Sequence, residues 1–203
     1  MCPAVNRSAQ TDATRSQSAV LKATLLQIQV AKLTAGRRTI RRRAGFGGEC
    51  LRMKTLARES DRTEILGRLK AVRPENTHRW GRMTAHQMVC HLADAFRLAL
   101  GEKRGPAPRG GLGPRLIKWV ALEVPLRWPP GVPTVAEADQ ERGGTPPGVF
   151  EADLAQVEAL IATMTAPGAL LNQPHPIFGA MSEADWLRWG YLHVDHHLRQ
   201  FGN

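Results

Sequence analysis

The feature that most constrains this chain is an apolar repeat. Phe150, Leu154, Val157, Ile161 and Met164 recur at steps of four, three, four and three. That is the period of one face of an α-helix and does not fit the alternation of a half-buried strand. A rod with one apolar stripe must bury it against other elements, and the remaining sequence supplies further rods of the same kind. Ile65, Leu66, Leu69 and Val72 mark a helix capped by Ser60 or Asp61 and closed by Pro74 beyond its end. Thr84-Ala85-His86-Gln87 reads as a capping box, in which the threonine hydroxyl and the glutamine amide satisfy free backbone donors of the first turn. The helix it opens runs to Leu100 and stops at Gly101. Met88, Leu92, Ala95, Phe96 and Ala99 form its buried stripe, with His91 inside it. Ser182-Glu183-Ala184-Asp185 is a second capping box. It opens a last helix that carries Trp186, Trp189, His193, His196 and His197 and ends near Gln200.

Between the second and third of these helices, residues 104–148 hold nine of the 14 prolines, which excludes a tight hairpin there. One short apolar stretch, Leu116 to Leu126, has room for a helical turn or two. The expected fold is therefore all-α: a four-helix bundle with a long crossover between helices two and three, and negligible strand.

A net charge of +10 points to nucleic acid only until it is split by position. Residues 1–52 hold ten of the 28 Lys and Arg but only two of the 18 acids, leaving the rest with an excess of two bases. A nucleic-acid groove needs its basic stripe on the folded part, so no nucleic-acid partner is expected for the body. Three readings of residues 1–52 compete: a disordered basic arm, an organellar targeting peptide, or an extension upstream of a true start at Met53. The folded domain is expected to span 53–203. No stretch has the roughly 20 apolar residues needed to cross a bilayer, and Cys2, Cys50 and Cys90 form no disulfide or zinc spacing. The expected compartment is cytoplasmic, with no membrane partner.

Seven histidines occur, three of them within five residues of the last helix. Positions four apart share a helix face with Cβ atoms roughly 6 Å apart, so His193 and His197 can aim at one point. A catalytic metal commonly takes three protein ligands and keeps one position for water or substrate. His91, on the inward stripe of the second helix, is the candidate third donor. His196 rivals His197, because a spacing of three also works. His86 lies about 140° around the helix from His91 and reads as a first-turn surface residue, while His78 reads as exposed loop. His175 can lie over the site or simply serve its turn. Asp94 and Asp195 are candidates to orient ligating imidazoles, each equally readable as a solvated acid. Arg199 and Gln200 can meet an anionic substrate group, but a cation complementing the helix C-terminus is the preferred reading. Cys90 points about 100° away from His91 and reads as a small packing residue rather than a nucleophile.

Three strings together carry a resemblance: Met83-Thr84-Ala85-His86-Gln87-Met88-Val89-Cys90-His91-Leu92-Ala93-Asp94, the loop His175-Pro176-Ile177-Phe178-Gly179, and the ending His193-Val194-Asp195-His196-His197-Leu198-Arg199-Gln200-Phe201-Gly202. From about Met53 onward the chain resembles a domain-of-unknown-function branch of the DinB/YfiT-like superfamily. The resemblance implies a four-helix bundle with a three-histidine site for a divalent ion, zinc or nickel, held by His91, His193 and His197. The doubled histidine at 196 and 197 leaves the third ligand's register open. The resemblance also implies a small-molecule substrate such as a low-molecular-weight thiol, since related members include thiol transferases. Two functions follow as expectations. One is a metal-dependent thiol transferase or metal-assisted hydrolase. The other is a non-catalytic bundle that binds metal or forms a homodimer, with Trp119 and Trp128 of the crossover exposed for contact or as a lid.

Overall fold

A computed structural model describes residues 52–107, 112–132, 134–169 and 173–203. All that follows concerns the compact unit formed by Arg52–Pro130 and Thr134–Asn203. The three readings of residues 1–52 lie outside the described residues, apart from Arg52.

The described residues are helical. In chain order they form α1 (Glu59–Lys70), α2 (Ala85–Leu100), α3 (Leu112–Glu123), a single 3-10 turn (Ala136–Ala138), α4 (Phe150–Met164) and α5 (Glu183–Gln200), with no strand. An isolated bridge between His175 and Gly179 is the one trace of β pairing among them. No described helix is long and apolar enough to cross a membrane.

Both capping boxes form. Thr84 Oγ1 accepts from Gln87 N at 3.1 Å while Gln87 Oε1 accepts from Thr84 N at 2.9 Å, and Ser182 and Asp185 exchange the equivalent pair at 3.1 and 2.9 Å. Gly101 closes α2 at φ 77°, a left-handed conformation that glycine adopts without steric cost. The start of α1 differs from expectation. It begins at Glu59 behind Arg58, with no side-chain cap, because Asp61 is turned elsewhere: its carboxylate accepts from Thr55 N at 3.0 Å and pairs with Arg58 at 2.6 Å. The apolar stretch of the crossover also exceeds its expected turn or two: residues 116–123 form the later part of α3, which begins at Leu112, while Leu126 falls beyond the helix end.

α2 packs on α4 and α5, and α1 packs on the same two helices. The core between them takes Ile65 and Leu69 from α1, Leu92 and Phe96 from α2, Val157 and Ile161 from α4, and Val194 and Leu198 from α5. Each such side chain contributes roughly 1.5–3 kcal/mol when fully buried. α3 lies against α5, tied by Lys118 Nζ to Asp185 at 2.9 Å and by Arg188 Nε to the Leu122 carbonyl at 3.0 Å. Trp119 on α3 is 57% exposed, as expected. Trp128 is not: it is half-buried against the core, its indole N–H donating to the Ala121 carbonyl at 3.0 Å.

Asp94, fully buried on α2, fastens the crossover. Its carboxylate accepts from Thr145 N at 2.6 Å and Thr145 Oγ1 at 2.7 Å, and pairs with Arg97 and Lys103 at 3.1 Å each. Burial alone would raise its pKa, but the Thr145 and Lys103 hydrogen bonds outweigh burial and hold it below the usual carboxylate range. It orients no imidazole. Asp195 likewise touches no histidine: Arg68 at 2.7 Å and Arg199 at 2.8 Å take its two oxygens, tying α1 to α5.

Candidate metal centre

His193 and His197, one turn apart on α5, face His91 across the contact with α2. His91 Nε2 lies 3.1 Å from His193 Nε2, and His197 Nε2 lies 3.2 Å from the same atom. One ligand atom from each of the three falls within 4.8 Å of the others. The three rings singled out in the sequence are thus brought together, and His197 rather than His196 completes the group.

Hydrogen bonding fixes what two of these nitrogens are. His91 Nδ1 lies 2.7 Å from the Ala138 carbonyl, which can only accept, so the proton sits on Nδ1 and Nε2 carries a lone pair. His197 Nδ1 lies 2.8 Å from Gln200 Oε1, and the Gln200 amide is oriented by donating its NH₂ to the Trp80 carbonyl at 2.7 Å. His197 Nε2 therefore carries a lone pair as well. Both lone pairs converge on His193 Nε2, whose single N–H could serve only one of them well. His193 Nδ1 is buried without a hydrogen-bond partner among the described residues. With one N–H for two lone pairs, one buried Nε2 is left unmet at a cost of about 1–3 kcal/mol, whereas a divalent cation would satisfy all three converging Nε2 atoms together. Burial pushes the pKa of His91 down and those of His193 and His197 well down, which keeps the rings in the neutral, ligating form. An all-imidazole donor set suits zinc or nickel and is a poor match for magnesium or calcium.

The supports for this group were only partly foreseeable. Gln200, a candidate for an anion contact by sequence, holds His197 here, a role that its spacing of three from that residue permits. The Ala138 carbonyl arrives from the 3-10 turn of the crossover, for which no local signal exists. Replacing Gln200 by leucine is expected to release the His197 tautomer and lower metal affinity by about 10–100-fold, measured by competition with a chromophoric chelator; an unchanged affinity would remove Gln200 from the site.

Four other histidines take separate roles. His196 is buried beside the rings of Trp80 and Trp128, its Nδ1 unpartnered among the described residues. Burial and then Arg199 push its pKa down to about 4. Arg199 itself pairs with Asp195. His78 is exposed, as expected. His175 belongs to its turn: it exchanges both backbone hydrogen bonds with Gly179 at 2.8 Å, and its Nδ1 accepts from Ile177 N at 3.1 Å and Phe178 N at 3.3 Å. His86 corrects its expected surface role. It is half-buried, with Nε2 2.7 Å from Asp153 Oδ2 of α4, and Cys90 Sγ lies 3.6 Å from the same oxygen. Cys90 is buried as expected, but its partner is polar; burial and the Asp153 charge push its thiol up to about 12, away from the thiolate form that a nucleophile needs.

Burial pushes His175 down to about 3, against about 6.5 for the unfolded chain. Between those values the unfolded state takes a proton that the folded state refuses. This group's contribution is therefore complete above about pH 6.5 and falls by about 1.4 kcal/mol per pH unit on acidification. Denaturant unfolding of wild type and His175→Gln at pH 7 and pH 5 checks this: the stability gap between them should narrow toward pH 5, and a gap that stays constant contradicts it.

Comparison with known proteins adds one finding. A family model described as "Protein of unknown function (DUF1569)" matches residues 143–203. The match takes in α4, the His175 turn and α5 with His193 and His197, and leaves out α2 with His91. No curated protein and no solved structure matches the chain.

Proposed function

We propose that this chain is a divalent-metal-dependent enzyme of the DinB/YfiT-like kind. In this reading α1, α2, α4 and α5 make the four-helix bundle, and residues 104–148, α3 included, form the crossover between its second and third members. His91, His193 and His197 hold the ion, zinc or nickel, on three imidazole nitrogens. The observation that carries the reading is the convergence of two Nε2 lone pairs, fixed by Ala138 and Gln200, on the Nε2 of His193.

An ion held by three neutral imidazoles keeps its charge and an open position, and so supplies Lewis acidity toward a thiol or water near neutral pH. The chain's own residues do the rest. The Ala138 carbonyl and Gln200 hold two rings in the ligating tautomer. Trp189 and Trp128, with ring centroids 4.6 and 6.2 Å from that of His193, make an apolar wall beside the exposed edge of the group. Such a wall suits a small organic substrate and keeps bulk water off the ion. Transfer of a low-molecular-weight thiol is the leading reaction and metal-assisted hydrolysis the next. The test is turnover of metal-loaded wild type and His193→Ala across a panel of small thiols with electrophilic acceptors, and of hydrolysable esters and amides. Turnover in the wild type that His193→Ala lacks supports the enzyme.

The burial of His91 and His197, at 3% and 7% exposure, favours one second reading, a bundle that stores or senses the ion without turnover. Wild type that binds metal yet stays inert across the whole panel selects it.

A further inference from the structure

A second group of ligand-type side chains lies on another face of α2. His86 and Cys90, four residues apart, stand one turn from each other, and Asp153 of α4 faces both. One ligand atom from each lies within 4.8 Å of the others. Every hydrogen bond that the Asp153 carboxylate accepts among the described residues falls on one oxygen: Oδ2 takes His86 Nε2 at 2.7 Å, Gly148 N at 2.9 Å and Cys90 Sγ at 3.6 Å. The Phe150 ring packs edge-to-face with the His86 ring, 5.3 Å between centroids. A sulfur, an imidazole nitrogen and a carboxylate oxygen are thus already gathered by the packing of α2 on α4. The thiol turns to the carboxylate and not to the imidazole, which is the wrong order for a Cys-His-acid nucleophile.

We propose that His86, Cys90 and Asp153 form a second metal site, selective for zinc-like ions. The mixed sulfur, nitrogen and oxygen set favours such an ion over magnesium or calcium, and three protein donors leave one position of a tetrahedron for water. Binding replaces the two protons now directed at Asp153: the Cys90 thiol releases its proton to solvent, and the His86 Nε2 proton is exchanged through solvent to Nδ1, which leaves a neutral ring with Nε2 free to ligate. The Gly148 N–H keeps its bond, since a carboxylate offers about four lone-pair sites. Cys90 and His91 are adjacent in sequence but about 100° apart around α2, so the two sites draw on different faces of one helix. The second site does not depend on the three-histidine reading.

Cobalt(II) titration of the full chain tests it, because a thiolate ligand adds a near-ultraviolet charge-transfer absorption that imidazole and carboxylate do not. Wild type should take up about two equivalents and develop this band; His193→Ala should take up about one and keep it; Cys90→Ser should take up about one and lose it. Cys2 and Cys50 are also present in the chain, so the Cys90→Ser comparison assigns the band. His86→Gln, which leaves the sulfur in place, should weaken binding at this site and guards against a folding defect in Cys90→Ser. A wild type with no thiolate band, or a Cys90→Ser chain that binds as many ions with the same band, overturns the proposal. Equal uptake by wild type and His193→Ala, with the band present in both, would instead remove the three-histidine centre and leave this site standing.

Discussion

Replacing Asp94 by alanine is expected to lower folding stability by about 3–5 kcal/mol, the usual cost of removing one partner from a buried charge pair. The carboxylate is fully buried and meets four groups: the Thr145 amide, the Thr145 hydroxyl, Arg97 and Lys103. Its loss leaves Arg97, Lys103 and the Thr145 amide and hydroxyl without the acceptor that they share. Asp195→Ala is the control. Its pairs with Arg68 and Arg199 are partly exposed, and such pairs are worth roughly 1 kcal/mol or less. Urea unfolding of the two variants should separate them clearly, and an Asp94→Ala cost as small as that of Asp195→Ala contradicts the assignment. The pH window differs from that of His175. Because the folded Asp94 pKa is depressed, its contribution is present above the unfolded carboxylate value of about 3.9 and is lost as pH falls through the lower folded value.

His193→Ala is the second large effect, and its size depends on metal. Without metal, removing His193 relieves the convergence of two lone pairs on one nitrogen and deletes a buried, unpartnered Nδ1, which offsets part of the packing lost. With a divalent ion at about 100 times the dissociation constant of the three-histidine site, wild type gains about 2.7 kcal/mol by mass action. The variant forfeits that gain, because two imidazoles remain where three were needed. Thermal unfolding with and without zinc should therefore show a stability gap that widens on adding metal. A gap of constant size would mean that His193 matters only for packing.

The helical fold was legible because its signals are local. The repeat from Phe150 to Met164 and both capping boxes act within a few residues of themselves, and each helix forms where those signals stand. His193 and His197 were legible for the same reason, since their spacing of four is set by one helix. The misses have longer reach. Asp61 looked like a cap but is drawn away by the Thr55 amide and Arg58. His86 looked like surface because its partner, Asp153, lies 67 positions along the chain. Asp94 lies within hydrogen-bonding range of Thr145, 51 positions away, rather than of any histidine. The Ala138 carbonyl that fixes His91 comes from a proline-rich crossover whose path no local pattern dictates. The apolar run in that crossover belongs to a helix longer than expected, which Lys118 and Arg188 tie to α5 by contacts that no local pattern shows.

The claim on which the rest depends is that His91, His193 and His197 share one cation. Metal content by mass spectrometry, on wild type and His193→Ala loaded with zinc and desalted side by side, tests it most directly. The account predicts that wild type retains about one equivalent more than the variant. Equal retention by the two proteins would contradict it.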